Sequence, residues 1–527
     1  MTTVADLIGR RLYEAGCRHS FGIPGGEVLA IMRGIDAAGV KFTLVKHENS
    51  GGFMAEGAFH RTGAPGVLIA TLGPGVANAT NVVANALQDR VPLLFITGCV
   101  DEADAATYTH QVFDHSALMK PITKATLRMT PEAAEALIDK AIAIATADPP
   151  GPVHIDVPIS VATQAPAKMR TRTTAVEPSV PADLSQARRW LARAKRPVLI
   201  AGVEAMHHNA SEELTRLVDM GIPLITTYKA KGIVDERHAF ALGAAGLSPR
   251  ADEVLQPLVR DADLILLAGY DPIEMRVGWR DVWDEHNRVV EISATRATHY
   301  MHQASQSFVG DIRLGLQGLT TARPEWTAEE ISFVRRQLAS IYRLDEVWGP
   351  AAVVDVARRI LPLDTIASVD SGAHRILLSQ TWMCYEPQSL MQSSGLCTMG
   401  CSLPLGIGAK LADPARPVAV FTGDACLEMT LGELATARDA KTPVIVFVFA
   451  DESLSLIETK QRAAGLPNLG VDFSGTDFAS VGLAMGGLGF EVHSREELTS
   501  AIKHSLAAPV FSVISCHLPR QAYDGRL

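Results

Sequence analysis

Two aspartates 27 positions apart, Asp424 and Asp451, are the residues whose type and setting first suggest chemistry. Each follows an apolar run that reads as a buried strand, residues 418–421 before Gly423-Asp424-Ala425 and residues 443–449 before Asp451. Adjacent parallel strands would hold both acidic groups at one rim. A hard cation such as Mg2+ bridging to a diphosphate suits that arrangement, since Mg2+ is held by one or two carboxylates and completes its shell with phosphate oxygens and water. The turn at Gly423 leads to a helical pattern at 431–437, and a strand-loop-helix presents backbone N–H groups to phosphate. The plain alternative is a pair of strand-end aspartates that cap helices.

The elements that must position these groups are those of a large α/β chain. A length of 527 residues implies about three domains of 100 to 200 residues each. Hydrophobic residues at 47% and charged residues at 20% exclude a disordered or fibrous chain. A net charge of −10 excludes nucleic acid as a partner, because binding phosphate backbones takes a basic face. No stretch approaches a membrane-spanning length, and the N-terminus leads into an amphipathic helix without a signal peptide, so no membrane partner and a cytoplasmic location are expected. Seven cysteines (Cys17, Cys99, Cys384, Cys397, Cys401, Cys426 and Cys516) form no C-x-x-C pair, which indicates neither a disulfide framework nor a zinc site.

Strand and helix signals alternate throughout, which predicts an α/β fold of three doubly wound parallel-sheet domains at 1–165, 184–320 and 345–527. In the first, helix is expected at 5–15 and 52–60, and strand at 19–22, 42–45, 67–70 and 93–96. Residues 162–183, with Lys168, Arg170 and Arg172, read as a solvated linker. The second has strands at 197–202, 223–226, 264–269 and 289–292 and no phosphate-loop glycine pattern. A more polar span, 320–350, joins it to the third. There a helix at 351–360, a strand at 365–369 ending in Asp370-Ser371-Gly372-Ala373-His374, a glycine-marked loop at 395–404 and a last strand at 510–514 are expected, with a mobile tail beyond Pro519. Active residues should gather at strand carboxyl ends.

Gly423-Asp424-Ala425, with Ala450-Asp451 after the spacer, resembles the thiamine-diphosphate signature, a Gly-Asp-Gly followed by paired asparagines. Ala425 replaces the usual glycine, and Asp451 makes the second metal ligand a carboxylate in place of an amide. Three further stretches carry the resemblance along the chain: Phe21-Gly22-Ile23-Pro24-Gly25-Gly26, His47-Glu48-Asn49, and Gly73-Pro74-Gly75-Val76-Ala77-Asn78. It is closest to the acetolactate-synthase-like branch of these enzymes. The resemblance implies that the first domain grips the aminopyrimidine, the last binds diphosphate and metal, and the middle one is partly a spacer. That middle domain sometimes holds a flavin, and FAD is not indicated here.

By the same resemblance Asp424 and Asp451, with the Ser453 carbonyl, hold Mg2+. Gly372, Ala373 and His374, with Gly423, Ala425, Cys426 and Leu454, surround the diphosphate, and Pro24, Gly25, Thr71, Pro74 and Asn78 belong to the pyrimidine side. Glu48 is the activating acid: the thiazolium carbon loses its proton through the cofactor's own iminopyrimidine, and a carboxylic acid against a pyrimidine nitrogen drives that tautomer. This calls for a carboxyl kept in its acid form by an apolar wall, for which Leu44, Val45, Phe53 and Met54 are the nearby residues. The plain alternative is an exposed glutamate opening a helix. Met399 resembles the bulky residue beneath the bent cofactor, with the Cys397 carbonyl accepting from its amino group; a core methionine filling a gap is the alternative. At His374 the alternative is a surface histidine.

Gln111, Asp114 and residues 121–124 match the family's glutamine loop, and Arg276 stands where the branch places an arginine near the second keto acid. His110 replaces a phenylalanine, Ile159 a lysine and Lys460 a tryptophan, while Glu27 takes the place of a small apolar residue. These make the pocket more polar, and buried unpaired polar groups reject apolar ligands, which argues against two pyruvates as substrates. Lys460 could equally point to water. The reading is an enzyme that uses thiamine diphosphate and Mg2+ to make or break a carbon-carbon bond next to a carbonyl of a 2-oxo acid or polar relative, with Glu48, Gln111, His110 and Arg276 as catalytic candidates. Because the family joins Glu48 of one subunit to the metal site of another, a homodimer is the minimum and a homotetramer the fuller expectation. A simple 2-oxo acid decarboxylase, a flavin-dependent oxidase and a non-catalytic cofactor-binding relative stay open as alternatives.

Overall fold

A computed structural model describes residues 2–167, 178–180, 183–321 and 324–527. It contains three six-stranded sheets whose paired strands are all parallel, with helices between most successive strands. Strands buried on both faces explain the continuous apolar runs that mark them in the sequence.

The first sheet is built from β1 (His19–Ile23), β2 (Lys41–Leu44), β3 (Gly66–Ala70), β4 (Leu93–Cys99), β5 (Ala125–Arg128) and β6 (Val153–Pro158), in the order β2-β1-β3-β4-β6-β5. The middle sheet, β7 (Pro197–Ala201), β8 (Leu224–Thr226), β9 (Ala241–Ala244), β10 (Leu264–Ala268), β11 (Arg288–Ser293) and β12 (Gln306–Val309), runs β12-β11-β10-β7-β8-β9. The third comprises β13 (Ile366–Val369), β14 (Leu390–Gln392), β15 (Val418–Gly423), β16 (Val444–Ala450), β17 (Leu488–Val492) and β18 (Ser512–His517), in the order β14-β13-β15-β16-β18-β17. The first and third sheets thus share one order, and each reverses direction between its first and third strands, the place where open α/β sheets receive ligands.

Those two outer units share a hydrophobic core that runs from Phe21 and Phe53 to Val446 and Val513. The helices Glu48–Thr62 and Ser402–Ala412 join them. Glycines permit the approach: a Cβ on Gly57 would lie 2.2 Å from the Leu405 carbonyl oxygen, and one on Gly408 2.0 Å from that of Met54. A buried ion triad links all three units, with Lys229 of the middle one 2.8 Å from Asp89 and 3.5 Å from Glu56 of the first. Asp89 in turn accepts from the N–H groups of Ser394 and Gly395 in the third.

Several local expectations change. The helix expected at 52–60 begins at Glu48, capped by His47, whose Nδ1 accepts from the Asn49 N–H at 3.1 Å. The loop expected at 395–404 turns helical at Ser402, because the Asp370 carboxylate accepts from both the N–H and the hydroxyl of Ser402. The polar span 320–350 contains the helix Ala328–Tyr342, opened by a Thr327/Glu330 capping box and seated on buried Ile331 and Tyr342. The tail beyond Pro519 packs back on the third unit, with Tyr523 buried, Arg526 paired to Glu346 and Asp524 to Arg462. The linker expected at 162–183 starts as the end of a helix, Ile159–Thr163; its basic residues Lys168, Arg170 and Arg172 lie outside the described residues. Among the described residues no helix is long and apolar enough to cross a membrane.

Candidate functional site

The carboxyl ends of β15 and β16 are adjacent in register, Gly423 opposite Phe449, so the chain leaves both strands at one rim. Asp424 opens the short helix Asp424–Glu428 there. One of its oxygens accepts from the Ala425 N–H at 2.8 Å, the other from the Asp451 and Glu452 N–H groups at 3.0 and 2.8 Å. Asp451 accepts from the Ser455 hydroxyl. Burial pushes both carboxyls upward, Asp451 to about 7, with the neighbouring Asp424 charge adding to its rise. Two buried carboxyls that resist ionisation side by side are a donor set that a divalent cation relieves. The Ser453 hydroxyl donates to Asp472, which braces the loop whose carbonyl is the third expected ligand.

A cavity of about 420 Å³ opens at this rim. From β13 it takes Ser371, Gly372, Ala373 and His374; from the next loop, Cys397 and Met399; from the metal side, Gly423, Asp424, Ala425, Cys426, Asp451, Ser453 and Leu454. All the expected diphosphate and metal residues therefore share one space. His374 is not a surface histidine: it is 5% exposed, stacks on Phe449 at 5.5 Å, and burial lowers its pKa to about 3, so the ring is neutral. Its Nε2 and the Ser371 hydroxyl are buried without a hydrogen-bond partner. Orphaned buried polar atoms cost stability, and a phosphate oxygen accepting from each would satisfy them. The residues present fit a diphosphate held through Mg2+.

The Cys397–Met399 loop is fixed from two sides. Cys397 takes a left-handed φ of 56°, with its thiol donating to the Ser394 carbonyl. Buried Asp370 accepts from the Gly400 N–H at 2.8 Å and the Ser371 N–H at 2.9 Å, tying the Met399 loop to the diphosphate turn. Arg276 and Lys460 line the same cavity. Among the described residues neither cationic head has a hydrogen bond or ion pair, although Arg276 lies near enough to Asp252 to favour its charge.

The amino-terminal group gathers at a second rim. Ile23 at the end of β1 lies opposite Ala70 at the end of β3, which brings Pro24 and Gly25 against Thr71; a Cβ on Gly25 would fall 2.2 Å from the Thr71 hydroxyl. That hydroxyl donates to Glu27 at 2.6 Å. Glu48 is 4% exposed, and its Oε2 accepts from the Asn78 amide at 3.0 Å. Its wall differs from expectation: Leu44 is 51% exposed, and Gly75 backs the carboxylate, a Cβ there falling 3.3 Å from Oε1. Pro74, exposed, begins the short helix Pro74–Asn78 that carries Asn78. Gln111 has a left-handed φ of 60° and, like His110, is exposed; Gln111 lines a separate cavity of about 570 Å³ with Asp114, His115, Arg128 and Asp156. Ile159, also exposed, follows β6.

No residue of this amino-terminal group lines the cavity at Asp424 and Asp451. Within one chain the two rims therefore open on different spaces. Sequence reasoning missed Asp370, Arg375, Tyr523 and His115. Tyr523 lines the cavity from a tail without periodicity, and Arg375, which lines it too, donates to the Ser393 carbonyl.

Three family models match the chain: the N-terminal TPP binding domain of thiamine pyrophosphate enzymes over residues 2–118, their central domain over 184–319, and their C-terminal TPP binding domain over 370–516. Among curated relatives, an acetolactate synthase of Bacillus subtilis (strain 168) is 27% identical over 96% of this chain and 91% of its own length. A probable 2-ketoarginine decarboxylase of Pseudomonas aeruginosa is 29% identical over 92% of this chain and 88% of its own. The acetolactate synthase isozyme 1 large subunit of Escherichia coli (strain K12) is 29% identical over 87% and 83%. With all three domains matched, the chain belongs to the thiamine pyrophosphate enzymes, with acetolactate synthases and a 2-ketoarginine decarboxylase among its relatives.

Proposed function

We propose that this protein is a thiamine-diphosphate- and Mg2+-dependent enzyme that forms or cleaves a carbon-carbon bond beside a carbonyl, an acetolactate-synthase-like carboligase acting on a 2-oxo acid or polar relative. The observation that carries it is the cavity in which two buried carboxyls, Asp424 and Asp451, face the unpartnered His374 Nε2 and Ser371 hydroxyl. When bound, the cofactor supplies a thiazolium carbon that stabilises the electron pair left on a carbonyl carbon.

The chain's own groups do the rest. Asp424, Asp451 and the Ser453 carbonyl hold the cation, while His374, Ser371 and the Gly372–Ala373 turn hold the diphosphate. Met399, in the cavity wall, would pack against the cofactor, and Glu48, steadied by Asn78, would hold a proton against its pyrimidine nitrogen. Arg276 and Lys460 give the substrate end two cationic heads, and His110 and Gln111 come from the facing rim. Because the two rims of one chain line different spaces, a working site joins one chain's Glu48 rim to its partner's Asp424 rim. A homodimer is the minimum and a homotetramer the proposed state, in the cytoplasm, where seven free cysteines are at home.

A panel of 2-oxo acids, pyruvate included, tested with added thiamine diphosphate and Mg2+ and followed by product analysis decides the reaction. A condensed hydroxyketone is expected. Aldehyde alone would make the protein a simple decarboxylase. Cofactor binding without deuterium exchange at the thiazolium carbon would mark a non-catalytic relative.

A further inference from the structure

Behind the Glu48 rim lies a buried cluster that the proposed reaction does not use: His115, His154, Asp156 and Thr97, exposed by 5%, 0%, 7% and 0%. Thr97 and Asp156 are register partners on β4 and β6. The Thr97 hydroxyl donates to Asp156 Oδ1 at 2.6 Å, and His115 Nδ1 and His154 Nε2 lie 2.9 and 3.6 Å from that same oxygen. Three such groups converging could be a cation site. The hydrogen bonds exclude it. The Gly73 N–H donates to His115 Nε2 at 3.2 Å, so the proton of that neutral ring sits on Nδ1 and points at Asp156. Thr97 spends its proton on Asp156, so His154 Nε2, 2.8 Å from the Thr97 oxygen, is the donor there and carries the other proton. Both rings thus turn N–H groups toward Asp156, and on that face neither offers a lone pair to a metal.

What the cluster touches gives it a use. Gly73, with φ 64° and ψ −105°, is the cap from which the helix to Asn78 starts, and Asn78 holds Glu48. Its open face meets the Gln111 loop: a Cβ on Gly73 would fall 2.4 Å from the Gln111 carbonyl oxygen. His115 itself stands four residues after Gln111 and opens the next helix. One imidazole therefore ties the turn that carries Asn78 to the loop that carries Gln111, with Asp156 fixing its tautomer and orientation.

We propose that His115, oriented by Asp156, is a positioning residue that sets Glu48 and Gln111 at a fixed separation. This rests on the function proposed above, in which Glu48 holds the proton and Gln111 meets the substrate. Misplacement by an ångström at such a site costs about tenfold to a hundredfold in rate.

Two variants separate the roles of the ring nitrogens. His115→Gln places an acceptor where Nε2 meets Gly73 and gives up the donor to Asp156; His115→Asn keeps a donor toward Asp156 and cannot reach Gly73. His115→Phe removes both. With thiamine diphosphate and Mg2+ bound, thiazolium deuterium exchange is expected to fall about tenfold in His115→Asn and His115→Phe and to recover in part in His115→Gln, which keeps the Gly73 contact without the Asp156 tether. Equal rates in the Asn and Gln variants would overturn the proposal. If His115→Phe does not fold, as circular dichroism would show, the Asn and Gln pair decides alone.

A second readout needs no cofactor. Nitrogen-15 histidine spectra of the cofactor-free protein, assigned by loss of one signal in His115→Gln, should show a neutral His115 ring with its proton on Nδ1, unmoved by added Zn2+. A proton on Nε2, or a Zn2+-shifted ring, would overturn the assignment. No exchange in the unaltered protein, with the tautomer as expected, would overturn the function proposed for the whole site and the role of His115 with it.

Discussion

The first and third sheets have the same strand order and open their rims at the same reversal point, yet they hold charge in opposite ways. At the third, Asp424 and Asp451 are acids brought together against their own repulsion, and burial raises both. At the first, every acid is answered from within: Glu48 by Asn78, Glu27 by Thr71, and Asp156 by Thr97 and His115. Burial pushes the Asp156 carboxyl up, but His115, His154 and Thr97 outweigh it and hold it below the usual carboxylate range. One rim gathers carboxyls raised by burial and the other settles its acids on side-chain donors, so topology places a site while the residues at the strand ends decide its chemistry.

Two substitutions should fail differently if that contrast is sound. Asp424→Asn is expected to cut cofactor and Mg2+ affinity by about a hundredfold, read by titrating tryptophan fluorescence. Glu48→Gln should leave affinity within about threefold and slow thiazolium deuterium exchange by about 10²-fold or more. Parallel loss of affinity in both would break the contrast.

The next effect concerns what holds the rims together. Lys229 lies between Glu56 and Asp89, each 2% exposed or less, and Asp89 steadies the Ser394 and Gly395 N–H groups ahead of Met399. Lys229→Met leaves two buried carboxylates without their cation, which should cost about 3–5 kcal/mol in urea unfolding. Burial alone would raise the Glu56 carboxyl, but Lys229 and His60 outweigh it and hold it below its ordinary value of 4.5. A lowered carboxyl contributes stability above its unfolded value and loses it as the pH falls, so the wild-type advantage over Lys229→Met should shrink below pH 4.5. An advantage that grows on acidification would refute the triad.

How much of this is legible in the sequence depends on burial pattern. β15 and β16 are buried and almost purely apolar, so their ends, and with them Asp424 and Asp451, stood out. β5, β9, β12, β14 and β17 did not: they are sheet edges, three to five residues long, and β12 and β17 are half-exposed. β6 is interior and wholly buried, but His154 and Asp156 interrupt its apolar run, so the polar frame behind Glu48 hid its own strand. Tyr523 and Asp370 act through contacts with distant segments, which no local spacing encodes. Glu48 was legible as a strand-end acid, whereas its neighbours were not, since Gly75 approaches it from another turn.

The middle sheet supplies a control for the outer two. Burial raises the Glu204 carboxyl to about 7, and among the described residues that carboxyl accepts one hydrogen bond, from the Ala294 N–H. A carboxyl raised on folding contributes its stability fully below the unfolded value of 4.5 and loses it as the pH rises through about 7. Glu204→Gln keeps an acceptor for Ala294 and removes the ionisation, so it should stabilise the protein by roughly 1–3 kcal/mol at pH 8 and by little at pH 5. Unfolding at the two pH values checks this, and cofactor affinity should not move.

The smallest effect tests the substrate end of the third rim. Lys460 projects from the helix Ser455–Ala463, which starts two residues after Ser453, and shares the cavity with Arg276, Leu454, Leu456 and Ile457. Apolar side chains form that part of the wall, so an ammonium there favours a substrate with a polar or anionic group and disfavours a bare methyl. Replacing it by Trp or Leu should raise kcat/KM for pyruvate relative to a 2-oxo acid with a second polar group by about tenfold, the worth of one to two kcal/mol in a pocket. Lys460 is also exposed, and an ammonium that points only to water would leave that ratio unchanged. An unchanged ratio would remove Lys460 from the pocket and leave Arg276 as the single cationic head at the rim.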